Sequence, residues 1–145
     1  MKITMAAEYA VRCVLYLSKK GKDQLISKKE IAENTATPEK FLAKIAQELA
    51  KADIIVIKQG SKGGYSLRHD PKDITMLKVV ETIIGEITLN ECTTRPEICT
   101  SSKNCSANLV WQNARDQVRN TLAQADFASL LQKATCCTVP MNTIV

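Results

Sequence analysis

Apolar positions recur at helical spacing near the start of the chain. Met5, Tyr9, Cys13 and Leu17 fall four residues apart, with Ala6, Ala10 and Val14 beside them. The stripe predicts a helix over roughly residues 3–19, with Cys13 in the core and Glu8 off the apolar face. A polar loop follows at Gly21 to Gln24. Ile26-Ser27-Lys28-Lys29-Glu30-Ile31 then reads as a capping box. Ser27 caps a helix, Glu30 reaches back to the cap, and the two isoleucines form a hydrophobic staple. That helix is short, about 28–34. Thr37 as N-cap and Pro38 in the first helical position start another, the 38–51 segment. Its apolar face is Phe41, Leu42, Ile45 and Leu49, and its other face carries Glu39, Lys40, Lys44 and Gln47.

Two helices joined by so short a turn form a helix-turn-helix. Ile54 to Lys58 is β-branched and reads as a strand, Gly60-Ser61-Lys62-Gly63-Gly64 as a turn with a lysine at its tip, and Tyr65 to Arg68 as the returning strand. This order is that of a winged helix. His69-Asp70-Pro71 breaks the chain. Asp73 or Thr75 then caps a helix to Ile84, with Met76, Val79, Val80 and Ile83 buried and Gly85 just past its end. Residues 87–106 lack periodicity. Helical spacing returns from Ser106 to about Ala125, where Ala107, Val110, Trp111, Ala114, Val118, Leu122 and Ala125 form a stripe long enough to pack against a second copy. Residues 127–133 form a last turn of helix, and a loose tail is expected from Thr135. The expected fold is mainly α with a small β-hairpin wing. A winged helix-turn-helix DNA-binding domain covers 1–72, and a loop with a long C-terminal dimerisation helix covers 73–145.

Composition narrows the function. The 145 residues suit one domain of ordinary size, and 45% hydrophobic with 24% charged residues excludes a disordered chain. No apolar run reaches the roughly 18–20 residues of a membrane span. Glu8 and Arg12 interrupt the first apolar segment, so no secretory signal is expected and a cytoplasmic location is. Residues 1–68 hold 13 Lys and Arg against 7 Asp and Glu, whereas residues 69–145 hold 7 against 8. The entire positive surplus therefore sits in the first half, which points to an anionic partner, with nucleic acid first. With one histidine, His69, and no Walker loop, H-E-x-x-H or G-x-S-x-G motif, neither an enzyme nor a small-molecule substrate is expected.

Six cysteines are unevenly placed: Cys13 alone, Cys92, Cys99 and Cys105 within one aperiodic segment, and Cys136 with Cys137 near the end. In a reducing compartment, clustered thiols more often bind metal or do redox chemistry than form structural disulfides. The spacing Cys92-x6-Cys99-x5-Cys105 is wider than the C-x2-C of a zinc knuckle. It suits a larger group that the chain must wrap, such as an iron–sulfur cluster. A further ligand would come from Glu8, His69, Asn108, Cys136, Cys137 or a second subunit.

These residues carry a family resemblance. MKIT with EYAVRCVLYL, ISKKEIAE with FLAKIAQEL, the turn GSKGGYSLRHDPKDIT, and three cysteines before LVWQNARD are together specific. The chain resembles the winged-helix iron–sulfur transcription regulators of the IscR, NsrR and RirA type, to which CymR is related. The resemblance implies a homodimer on a near-palindromic DNA operator, with the cluster near the dimer interface. His-ligated members carry a histidine three residues after the third cysteine, where this chain has Asn108. Other members use an acidic residue on the first helix of the partner subunit, which corresponds to Glu8. The resemblance therefore implies Cys92, Cys99, Cys105 and Glu8 of the partner as ligands. A 4Fe–4S cluster is favoured and 2Fe–2S remains open. The family's Pro-Gly in the wing is replaced here by Ser61-Lys62, and the Cys136-Cys137 pair lies outside the family pattern. The residues expected to meet DNA are Ser27, Lys28, Thr37, Pro38, Lys40, Lys44, Gln47, Lys58, Ser61, Lys62, Gly63 and Tyr65. The expected function is operator binding controlled by a cluster that senses iron, redox state or nitric oxide. The alternatives are a metal-independent thiol-sensing regulator and a cluster carrier or electron-transfer protein.

Overall fold

The computed structural model describes residues 2–101 and 104–134; the expected tail and Cys136 and Cys137 lie outside the described residues. The elements are α1 (Met5–Lys20), α2 (Lys28–Thr35), α3 (Glu39–Lys51), β1 (Ile55–Lys58), β2 (Gly64–Leu67), α4 (Met76–Ile84), α5 (Ser106–Ala123) and α6 (Phe127–Ala134), with short 3-10 turns at 71–73, 91–93 and 96–98. This is the mainly helical architecture with a small hairpin that the apolar pattern predicts.

Helix α1 is the centre. Thr4 caps it, its Oγ1 accepting from the Ala7 N–H at 3.3 Å. Ala7, Ala10, Cys13, Val14 and Leu17 are buried along it, and α2, α3, α4, α6 and β2 all pack against it. The alanines let neighbouring backbones approach closely, while the longer chains fill the space between. Met5, counted in the predicted stripe, is exposed because it lies at the first turn.

The helix-turn-helix is built from α2 and α3. Ser27 Oγ accepts from the Glu30 N–H at 3.2 Å, so half of the capping box forms. The other half does not. The Glu30 carboxylate accepts from the Tyr16 hydroxyl (2.9 Å) and pairs with Lys20 (3.0 Å), tying α2 to α1 instead. The Lys20 ammonium and the Tyr16 hydroxyl hold the Glu30 carboxyl below its usual range. A charge-assisted partner outcompetes a backbone N–H.

The turn between the helices also departs from expectation. Thr37 does not cap α3. It is 3% exposed, its hydroxyl 2.9 Å from Thr35 Oγ1, and Thr35 Oγ1 donates to the Ile31 carbonyl at 2.7 Å. Pro38 takes the N-cap place without a side-chain bond. Ala36 turns the chain at φ 50°, left-handed for a residue with a Cβ.

β1 and β2 pair antiparallel, Ile55 with Leu67 through Lys58 with Gly64. Ile26 adds an unpredicted isolated bridge to β2, exchanging backbone bonds with Tyr65 at 2.9 and 2.8 Å. Gly64 sits where a Cβ would overlap the Ile26 carbonyl oxygen, so only glycine fits this crossing.

The core continues past residue 72. Ile74, Val79 and Phe127 belong to the same buried cluster as Val14, Leu42 and Leu49. The start of α4 is stitched to the start of α6, with the Met76 N–H on the Ala125 carbonyl (2.8 Å) and the Phe127 N–H on the Ile74 carbonyl (3.1 Å). Among the described residues, no helix is long and apolar enough to cross a membrane.

Phe127 is fully buried, and α6 rests on α1 through it. Phe127→Ala is expected to lower stability by about 3–5 kcal/mol in urea unfolding. A loss below about 1 kcal/mol would show that α6 contributes little to the core.

Candidate functional site

Two groups of expected residues occupy different parts of the molecule. The first is the basic surface of α3 and the hairpin. Leu42, Ile45, Ala46 and Leu49 face inward, leaving Lys40, Lys44 and Gln47 exposed on one strip of α3. Phe41, expected in the core, is 54% exposed at the edge of that strip, its ring 6.3 Å from that of Tyr9. At helical pitch it lies about 100° from Lys40, on the border between the buried and exposed faces.

Lys58 ends β1, and Ser61 and Lys62 are exposed at the turn. The Gly63 N–H closes that turn on the Gly60 carbonyl at 3.0 Å. Lys40, Lys44, Lys58 and Lys62 have no acidic partner among the described residues, whereas Lys28 pairs with Glu39 at 3.4 Å and Lys51 with Glu48 at 2.8 Å. The strip and the turn thus leave four cations without a local counter-charge.

Thr37 and Tyr65, expected to meet DNA, have buried side chains. Tyr65 is 7% exposed and packs beneath the hairpin, and Thr37 locks the inter-helix turn. Both were read as surface because a turn and a short strand were assumed to face solvent. Ser27 is exposed but already serves as the α2 cap, and Pro38 is exposed at the start of α3. His69 is held at the base of the hairpin by Asp53 at 3.0 Å, alongside Arg68.

The second group is the cysteine loop between α4 and α5. Cys13, Cys92, Cys99 and Cys105 are all free thiols. Burial pushes the Cys13 thiol up to about 12, consistent with its place in the core. Cys92 lies in the 3-10 turn at 91–93, Cys99 is exposed just after the turn at 96–98, and Cys105 is the N-cap of α5. Among the described residues, no three His, Cys, Asp or Glu side chains are gathered closely enough to hold one metal ion. Two of the three cysteines are nevertheless drawn together through their backbones. The Asn108 N–H donates to the Cys105 carbonyl at 3.0 Å, and Asn108 Nδ2 donates to the Cys92 carbonyl at 3.2 Å. An open cavity of about 460 Å³ lies beside them, lined by Pro96, Asn104, Cys105, Asn108, Leu109 and Gln112 among others.

Asn108 occupies the place where His-ligated members of the resembled family carry histidine. In the structure its amide is engaged at both ends, because Oδ1 accepts from Gln112 Nε2. Further along the same face, Arg115 donates to the Thr93 carbonyl at 3.0 Å, and Arg119 pairs with Glu81 (3.2 Å) and Glu86 (2.7 Å) of the α4 region. The signal for this was present: Asn108, Gln112, Arg115 and Arg119 are spaced four, three and four apart, a polar stripe behind the apolar one.

Glu8 is exposed on α1 and pairs with Arg12 at 3.6 Å. It lines a groove of about 210 Å³ with Ile3, Val11, Arg12, Met76, Val80 and Leu122. Leu122 is seventeen residues along the chain from Cys105, so the groove lies about 26 Å along α5 from that cysteine. Glu8 and Cys105 of one chain are thus at opposite ends of α5. Leu109, Val110 and Trp111, near its cysteine end, are 70, 64 and 43% exposed.

Comparison with known proteins bears on the family and the fold. The model of the family Rrf2, described as "Iron-dependent Transcriptional regulator", matches residues 3–133. Protein rrf2 of Nitratidesulfovibrio vulgaris is 29% identical over 94% of this chain and 91% of its own. The HTH-type transcriptional regulator NsrR of Shouchella clausii is 32% identical over 66% of this chain and 64% of its own. The solved structure of T. potens IscR shares the fold, with a TM-score of 0.72 at 22% identity, covering 96% of this chain and 92% of that one. The family match spans nearly every described element, from the start of α1 to the end of α6, and the chain therefore belongs to the Rrf2 family of transcriptional regulators.

Proposed function

We propose that this regulator binds DNA as a homodimer and that an iron–sulfur cluster on Cys92, Cys99 and Cys105 governs its affinity. The observation that carries this reading is the loop itself: three free thiols in one aperiodic segment, at the end of a helix whose apolar side chains lack cover. The donor set fits the group, since thiolates are the usual ligands of such clusters. Asn108 is engaged elsewhere and His69 is bound to Asp53, so neither supplies the missing ligand.

The separation between Glu8 and Cys105 supports a ligand from the partner subunit. A two-fold axis across α5 would set the partner's Leu122 end against the Cys105 end of this chain. The partner's Glu8 groove would then receive Leu109, Val110 and Trp111, and the partner's Glu8 would approach the cysteines. A carboxylate oxygen is a harder ligand than thiolate, so the iron it holds is the labile one. Bound, the cluster supplies an iron site that oxidants, nitric oxide or iron shortage can dismantle; the 4Fe–4S form is favoured. Its loss would release the exposed Cys99, while the rest of the loop stays fastened to α5 through Arg115, α5 to α4 through Arg119 and Glu81, and α4 packs on α1 and α3. A change in the loop would by this route shift the two recognition helices relative to successive major grooves.

On DNA, Lys40, Lys44 and Gln47 face the major groove, while Lys58, Ser61 and Lys62 follow the backbone and minor groove. The exposed thiol of Cys99 supports a second reading, a regulator that senses oxidants through its thiols without metal. Visible absorbance, iron and sulfide of anaerobically purified protein separate the two.

Alanine at Cys92, Cys99 or Cys105 is expected to abolish visible absorbance, whereas Cys13→Ala retains it; full iron and sulfide in all three single loop variants contradicts the assignment. Glu8→Ala is expected to leave a cluster that decays faster in air, because three thiolates still hold it. A spectrum and lifetime equal to wild type would remove Glu8 from the ligand set. Lys62→Ala is expected to weaken binding to all sequences and lower the slope of log K against log salt by about one unit. Lys44→Ala or Gln47→Ala is expected to change preference among operators by roughly 1–3 kcal/mol in competition gel shifts. An unchanged preference would assign both to phosphate contacts.

A further inference from the structure

We infer that Asn108 is a positioning residue that sets the spacing of Cys92 and Cys105. The inference rests on the reading of those two cysteines as partners in one site. Asn108 stands in the first turn of α5 at 5% exposure. Its backbone N–H holds the Cys105 carbonyl and its side-chain Nδ2 holds the Cys92 carbonyl, so one residue bridges positions thirteen apart in sequence. The orientation of the amide is fixed. Gln112 donates to Oδ1, which leaves the NH2 end toward Cys92. Were the amide reversed, its oxygen would face a carbonyl oxygen and Gln112 would face an amino group, two repulsive contacts at a buried position.

The turn carrying Cys92 has a second anchor on the same helix face. Arg115, seven residues from Asn108, donates to the Thr93 carbonyl, and the Thr93 hydroxyl donates to the Asn90 carbonyl at 2.7 Å. Successive carbonyls of this turn, at 92 and 93, are therefore both taken by α5 side chains. No comparable clasp reaches Cys99 among the described residues, and it remains exposed. The loop thus presents a pair tethered to α5, Cys92 and Cys105, and a third cysteine, Cys99, whose N–H is bonded within its own turn to the Pro96 carbonyl at 3.3 Å. A neutral amide that donates to a ligand's backbone acts on the site without binding its contents, as outer partners of metal ligands do.

The test needs no iron. In the full chain carrying Cys99→Ser, Cys136→Ser and Cys137→Ser, the two loop thiols and the buried Cys13 remain. Phenylarsine oxide is the probe: two thiols and one arsenical form two S–As bonds and release one water. Binding of one arsenical per chain with loss of two titratable thiols is expected. Asn108→Ala in the same background is expected to weaken that binding about tenfold, the scale of one lost hydrogen bond, while helical circular dichroism and a cooperative melt are kept. Gln112→Ala, which only loosens the amide, is expected to fall between the two, and it carries the test if Asn108→Ala does not fold. Arsenical affinity equal to that of the parent in the variant that carries the test, or no bridging in the parent, overturns the inference. Failure of the cluster reading is distinguishable: the anaerobic wild-type chain then lacks iron and sulfide although the arsenical still bridges Cys92 and Cys105.

Discussion

Burial of α1 is the constraint on which the structure depends. Ala7, Ala10, Cys13, Val14 and Leu17 are almost fully removed from water, and five other elements close around them. The helix must be apolar over most of its circumference, and small at the two alanines, for α2, α3, α4, α6 and β2 all to reach it. Only a narrow strip is left for polar groups, and Glu8 and Arg12 stand on it. The same helix therefore supports the recognition helix on one side and presents a carboxylate on another. Movement of α4 or α6 against α1 is felt by α3, because no separate core insulates them.

Helix α5 obeys a different rule. Asn108 is its only fully buried residue. Its polar stripe bonds to the cysteine loop and to α4, and its apolar residues near the cysteine end are left in solvent. A long apolar strip on an 18-residue helix that its own chain does not cover is costly in water. In the proposed homodimer that strip would be covered, and the separation of Glu8 from Cys105 along α5 would bring the acid of one subunit towards the cysteines of the other.

Much of this was legible in the sequence because it depends on local chemistry. Ser27 as a cap, Thr75 as a cap, the glycine-rich turn and the β-branched run at Ile54 to Lys58 each act over a few residues, and the structure has them in place. Misreadings arose where a distant partner won. Glu30 left its capping box for Lys20 and Tyr16, and Thr37 turned inward to Thr35. Phe41 fits the helical stripe by spacing, but no element covers its edge of α3. Ile26 pairs with Tyr65 across thirty-nine positions, which no local pattern reveals. The clasp of Asn108 on Cys92 and Gln112 joins residues sixteen and four positions away, and only the second spacing is a local helical one.

The central claim is that the contents of the cysteine loop control DNA affinity. The direct measurement is a footprinting titration of one operator by one anaerobic preparation, before and after the iron is removed by a chelator, at fixed salt. The account predicts a change in Kd of about tenfold or more, the range in which coupling between sites is commonly found. It also predicts protection of two half-sites about one helical turn or more apart. Equal affinity and equal footprints with and without iron would contradict it.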